Sequence, residues 1–208
     1  MIITQILPLE HSKGKVQVSF DSAQDLVLYR GELRGLDLKE QMEVSKELYD
    51  KIYYEIVGKR AVKRAMHLLE KMDRTEEQLR KKLEESRYPQ ELVDQAVAYV
   101  KSYHYIDDER YACNFVRLNQ EKKSAARIKM DLLAKGIAPE TAERALEAEN
   151  ETPPQVLIKR LLEKKKFDPA AAAPKETAKM YQFLLRRGFR GNEIMRVLKD
   201  TSFTDVDD

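Results

Sequence analysis

The chain has 208 residues, 38 basic and 36 acidic, so a formal charge of +2 sits on a sequence that is 36 % charged and 42 % hydrophobic. That apolar share is enough for a core and argues against a disordered polyampholyte. The lack of any run of 18 apolar residues excludes a membrane-spanning helix, and a single cysteine, Cys113, excludes an internal disulfide and fits a reducing compartment.

The chain opens on Met1-Ile2-Ile3-Thr4-Gln5, without the basic start and long apolar stretch of a signal peptide. Ile2 to Leu7 is strand-like, Lys15-Val16-Gln17-Val18-Ser19-Phe20 alternates polar and apolar, and Leu26-Val27-Leu28-Tyr29 follows. Ser12-Lys13-Gly14 and Asp21-Ser22-Ala23-Gln24 supply turn chemistry between them, so a small antiparallel sheet of three strands is expected. Gly31 and Gly35 flank a short helical connector, and Ser45 is placed to cap a helix running to Val57.

From Gly58 onward the signals are helical, consistent with only 7 Gly and 7 Pro in so charged a chain. Val62, Ala65, Met66, Leu69 and Met72 make one apolar stripe. Thr75-x-x-Gln78 is a capping box opening a second helix with Leu79 and Leu83 inside. Pro89 sits in the first turn of a third, which carries Val93, Ala96, Val97 and Val100. The pattern then recurs. Leu79, Ile128 and Met180 correspond, as do Leu83, Leu132 and Leu184. Each second helix ends in a basic residue and a breaker, at Ser86-Arg87-Tyr88, Lys135-Gly136-Ile137 and Arg187-Gly188-Phe189. Three units are predicted, over 58–106, 107–151 and 152–199, after a β-containing extension and linking helix over 1–57 and before an acidic tail over 200–208. Ala170 to Ala173, between Pro169 and Pro174, reads equally as helix or loop. The fold class is therefore mainly α: three tandem three-helix repeats in an elongated curved array, with a small three-stranded N-terminal extension.

No active-site pattern stands out. His11, His67 and His104 are far apart and Cys113 has no cysteine partner, against a zinc site. No phosphate-binding glycine loop and no nucleophile elbow occur. Asp107-Asp108-Glu109 admits two readings: the cap and first turn of a helix, or a Mg²⁺-binding trio for metal-dependent chemistry. No cofactor is expected. Charge is more informative. Residues 150–199 carry 12 basic against 5 acidic side chains, whereas 200–208 carry four Asp and no base. Lys122, Lys123, Arg127 and Lys129 add a stripe in the second unit, and such clusters are the footprint of a polyanion partner.

Tyr105-Ile106-Asp107-Asp108-Glu109-Arg110-Tyr111-Ala112 resembles the signature of the RecX family, regulators of the RecA recombinase. Arg74-Thr75-Glu76-Glu77-Gln78-Leu79 resembles the family's first-repeat segment, with Gln78 in place of the usual Glu. Arg127-Ile128 and Lys135-Gly136-Ile137 resemble its second, although Ser124-Ala125-Ala126 stands where a Gly-Pro often precedes the Arg-Ile pair. The resemblance implies a non-enzymatic, cytoplasmic modulator in DNA repair, recombination and the SOS response. It would bind RecA–DNA filaments and limit their growth, ATP hydrolysis and strand exchange. Partners on this reading are the RecA filament and single- or double-stranded DNA, with no membrane, and the chain a monomer. The contact candidates are Lys122, Lys123, Arg127, Lys129, Lys159, Arg160, Lys164, Lys165, Arg186, Arg187 and Arg190. Of the signature, Tyr105, Ile106, Asp107, Asp108, Tyr111, Ala112, Lys135 and Gly136 are expected to build the fold, packing the junction of the first two units and capping its helix. The competing reading is a helical-repeat nucleic-acid-binding protein with no recombinase partner.

Overall fold

Strands β1 (Ile3–Pro8), β2 (Lys15–Phe20) and β3 (Leu26–Tyr29) form an antiparallel sheet in the order β1-β2-β3. Ile6 faces Val18 and Val16 faces Leu28 across the ladders, with an irregularity between Ile3 and Gln5. Period-2 alternation puts Val16, Val18 and Phe20 of β2 on one buried face. That face packs with Tyr49, Ile52, Tyr53 and Val57 in the first of four apolar cores among the described residues. This is a computed structural model, and it describes residues 1–10, 12, 14–149 and 152–199; the acidic tail over 200–208 lies outside the described residues.

A short helix, α1 (Arg30–Gly35), leads to α2 (Lys46–Asp50), whose N-cap Ser45 accepts the Leu48 amide at 3.2 Å. The helix then continues through a π-helical stretch, Lys51–Gly58, directly into α3 (Lys59–Lys71). Gly58, which reads as a breaker, keeps helical angles, with φ −63° and ψ −50°. A Cβ there would sit 3.4 Å from a Leu92 methyl, so the glycine allows close approach to α5 (Gln90–Ser102). The buried stripe of α3 is Ala61, Ala65 and Leu68, whereas Met72 lies beyond the helix end and is exposed.

Arg60 ties the sheet to this helix. Its guanidinium donates two hydrogen bonds to Glu32 at 2.7 and 2.8 Å and a third to the Val27 carbonyl, and it lies over the rings of Tyr29 and Tyr88. Helices α3, α4 (Glu76–Glu85) and α5 enclose the second core, with Leu79, Leu83, Val93, Ala96, Val97 and Val100 buried. Together with the sheet they make up the first compact unit, Met1–Asp107.

The second unit, from Asp108 on, contains two more trios. Helices α6 (Asp108–Asn119), α7 (Ala125–Leu133) and α8 (Pro139–Glu149) surround Ala112, Val116, Ile128, Leu132 and Ile137. Helices α9 (Pro154–Lys164), α10 (Pro174–Arg186) and α11 (Gly191–Lys199) surround Ile158, Leu162, Leu184, Phe189 and Ile194. Ala170 to Ala173 is a turn and not a helix, since α10 starts at Pro174.

The repetition is present at the level of individual atoms. After each second helix the residue at the left-handed position is Arg87 (φ 61°), Gly136 (φ 85°) or Gly188 (φ 87°). The amide of the next residue donates back to a buried leucine carbonyl: Tyr88 to Leu83, Ile137 to Leu132, Phe189 to Leu184. This is the Schellman closure, which satisfies carbonyls a helix end would otherwise leave unpaired. The second helices start alike too. Thr75 and Ser124 are buried N-caps accepting the Gln78 and Arg127 amides at 3.2 Å, and Ala173 holds the equivalent place before α10.

Candidate nucleic-acid interface

Two of the basic candidates, Lys122 and Arg187, meet at a polar joint in the second unit. The turn Lys122-Lys123-Ser124, between α6 and α7, meets the Arg187-Gly188 end of α10. The Ser124 amide donates to the Arg187 carbonyl at 3.0 Å, and the Ser124 hydroxyl donates to the Gly188 carbonyl at 2.7 Å. In return the Arg187 guanidinium donates to the Lys122 carbonyl. Arg187 also covers the Phe183 ring, 4.4 Å from its centroid, and Lys165 lies 5.4 Å from the same centroid. Arg187 and Lys165 thereby share the Phe183 ring, and Arg187 is tied to the Lys122 backbone. Lys165, Lys166 and Lys179 edge an open groove with Phe167, Met180 and Phe183 along it.

Other candidates have anionic partners. Lys123 and Arg127 share Asp131, at 2.7 and 3.1 Å; Lys129 pairs with Glu143; Arg160 pairs with Glu121 at 3.3 Å. Pairs of this kind add at most about 1 kcal/mol at a surface and locally cancel the positive field. Among the described residues no carboxylate is within ion-pair distance of Lys122, Lys164, Lys165, Arg186, Arg187 or Arg190. Lys122, Lys164, Lys165, Arg186 and Arg190 are exposed, and Lys159 is half-buried on α9. The field available to a polyanion therefore comes from a subset of the eleven candidates, centred on the α10 end.

The signature residues divide. Ile106 is buried in the first repeat's core and Ala112 in the second's, and Tyr111 is half-buried and stacked on Phe115. Asp108 opens α6 after Asp107, as a helix start requires. Gly136 takes the left-handed cap, and Lys135 lies 5.3 Å from the Phe115 centroid, with Lys123 at 5.8 Å. Tyr105 departs from the packing role expected of it: half of it is exposed, and its ring stacks on Tyr103 at 6.1 Å. The cause is the end of α5. His104 adopts φ 57° and the Tyr105 amide donates to the Val100 carbonyl, a turn that sends Ile106 inward and leaves Tyr105 outside. As for the acidic trio, Glu109 pairs with Arg144. Among the described residues no three His, Cys, Asp or Glu side chains gather as metal ligands, and no helix is long and apolar enough to cross a membrane.

Two features are not picked out from the sequence: the Arg60 anchor, and a line of exposed tyrosines at the end of α5 and in the turn after it. The tyrosines have a sequence signal, since Glu91, Gln95, Tyr99 and Tyr103 recur every four residues at positions between the apolar ones.

Known proteins share this arrangement. Residues 61–99, 107–146 and 155–198 match the family models described as the first, second and third three-helix domains of RecX. The regulatory protein RecX of Caldanaerobacter subterraneus subsp. tengcongensis is 31 % identical over 203 residues, which cover 97 % of this chain and 100 % of that protein. The regulatory protein RecX of Clostridium acetobutylicum is 28 % identical over 213 residues, 95 % of each chain. A crystal structure of a regulatory protein RecX shares the fold at 23 % identity and a TM-score of 0.59, covering 94 % of this chain and 98 % of that one. With three matched three-helix domains and a relative matched over nearly its full length, the chain belongs to the RecX family.

Proposed function

We propose that the chain is a cytoplasmic, monomeric, non-enzymatic regulator that binds the RecA–DNA filament and restrains its growth, ATP hydrolysis and strand exchange in DNA repair. Family membership supports the partner. The observation that carries the reading is the patch in which Arg187 and Lys165 share the Phe183 ring while Arg187 bonds the Lys122 backbone carbonyl. A fixed cationic surface of this kind suits phosphates displayed at intervals along a polymer, and it offers nothing to bond breaking. We take Lys164, Arg186 and Arg190 as further phosphate contacts, with Lys123, Arg127, Lys129, Lys159 and Arg160 as the remaining candidates.

The test is the ATPase of RecA on single-stranded DNA with the protein added. Dose-dependent inhibition is expected, and unchanged hydrolysis at micromolar excess overturns the reading. The salt dependence of filament binding should weaken in a Lys122→Glu, Arg187→Glu variant, because neutralised phosphates release counterions. The second reading, a plain nucleic-acid-binding repeat protein, draws on the same patch. Tight DNA binding without RecA, with no effect on the ATPase, favours it.

A further inference from the structure

One surface of the first unit has the opposite chemistry to the basic patch. Tyr99, Tyr103 and Tyr105 are 42 %, 58 % and 50 % exposed, and their rings run in series with centroids 4.9 and 6.1 Å apart. The series continues toward the N-terminus of α5. Gln95 donates to Glu91 at 3.2 Å, and Glu91 accepts the hydroxyl of Tyr54, also exposed, at 3.0 Å. Glu91 to Tyr103 alone spans about 18 Å at the rise of an α-helix. The result is a group of four exposed tyrosines, one amide and one carboxylate: Tyr54 on the π-helical stretch, Glu91, Gln95 and Tyr99 at exposed positions of α5, Tyr103 at its C-cap and Tyr105 just beyond.

Glu91 and Tyr54 also touch the buried Tyr53, but Tyr99, Tyr103 and Tyr105 have no such tie to the core among the described residues. They stand outside the core, and a solvated helix face in so charged a chain would ordinarily carry Lys, Glu and Gln. Exposed tyrosines in contact with one another are instead the side chains that make protein interfaces, offering large, rigid area at low entropic cost. Their charge identifies the partner. The nearest lysine on the helix, Lys101, is ion-paired with Glu76 at 2.8 Å. A single-stranded nucleic acid stacks on aromatic rings only within a basic groove, and the charge present here, Glu91, repels phosphate.

We infer that the Tyr54–Glu91–Gln95–Tyr99–Tyr103–Tyr105 group is a docking surface for a cationic, arginine-bearing protein surface, namely that of the recombinase subunits and not of their DNA. Arginine planes stack on tyrosine faces and pair with a carboxylate, so both components of this surface address the same partner group. The inference rests on the filament reading for the identity of the partner. It assigns protein contact to the first unit and phosphate contact to the second.

The experiment uses the full chain and fluorescein-labelled single-stranded DNA, bare or coated with RecA and a non-hydrolysable ATP analogue. The combined Tyr99→Ala, Tyr103→Ala, Tyr105→Ala variant should bind coated DNA at least about tenfold more weakly, as expected for a lost aromatic hot spot. Its affinity for bare DNA and its melting temperature should stay unchanged. Glu91→Lys should weaken filament binding as well, because it places a cation against a cationic partner. If wild-type protein does not bind coated DNA, the filament reading itself fails. If wild type binds but the triple variant binds equally well, the tyrosine group is not a docking surface. Weakened bare-DNA binding by the triple variant, or strengthened filament binding by Glu91→Lys, makes it a phosphate-facing surface and overturns the assignment.

Discussion

The Ser124 hydroxyl serves two helices at once: it accepts the Arg127 amide at 3.2 Å, capping α7, and donates to the Gly188 carbonyl at 2.7 Å, closing α10. Ser124→Ala removes both bonds from a buried position and should cost about 1–3 kcal/mol in chemical denaturation. Ser124→Asp separates the two roles. A carboxylate still caps α7 but cannot donate to Gly188, so any loss that persists in the aspartate variant belongs to the joint and not to the cap.

Gly188 has tight surroundings at its repeat closure. A Cβ there would lie 2.5 Å from the Arg127 Cβ and 2.6 Å from the Ser124 hydroxyl, at a φ of +87° that side chains avoid. Gly188→Ala should therefore destabilise by about 2–4 kcal/mol, combining left-handed strain with overpacking. It should also weaken the basic patch, measurable as lower DNA affinity at a temperature where the variant is still folded.

Arg87 occupies the equivalent left-handed position in the first repeat without being glycine, at φ 61°. Its side chain offsets little there, reaching Gln17 at an exposed site at 3.1 Å. Arg87→Gly should raise stability by about 0.5–1 kcal/mol, read as an increase in melting temperature. Lys166, at φ 52° after α9, invites the same change with the same sign.

The Arg60 anchor should be costly to break from one side only. Arg60→Met keeps length and packing but leaves Glu32, a quarter exposed, facing no cation. A loss of about 3–5 kcal/mol is expected in urea denaturation. Adding Glu32→Leu to the same variant should recover part of it, because the stranded charge is then gone.

Alkaline pH should unfold the first unit through its buried phenols. Burial, reinforced by the neighbouring Glu91 carboxylate, pushes the Tyr53 hydroxyl from its ordinary 10 up to about 12, and burial raises Tyr49 as well. The unfolded chain ionises first, so stability is full below pH 10 and falls as pH rises toward 12. Phenolate absorbance should show late-titrating tyrosines, and Tyr53→Phe should flatten the fall in stability.

Much of this is legible in the residues alone. Leu83, Leu132 and Leu184 declare the repeat by apolar spacing, and Gly136 and Gly188 mark its closures by chemistry; Arg87 is recognisable only by its place beside them. Gly58 misleads, since a residue without Cβ reads as a stop yet here lets Leu92 approach an unbroken helix. The basic candidates are harder, because what silences a charge comes from another helix. Nothing near Lys129 in sequence announces Glu143, nor Glu121 for Arg160. Tyr105 shows the same limit on the apolar side. Its neighbour Ile106 is buried, and only the left-handed His104 before it decides which of the two rotates inward.

The second and third repeats keep separate apolar cores and meet at Ser124 through hydrogen bonds. Parting such a seam exposes amides and hydroxyls that water accepts readily, so it should open and re-form at less cost than parting an apolar core. In mechanical terms the joint is a latch, with the two trios as stiff blocks on either side. Stretching the chain should release that latch well before either trio yields.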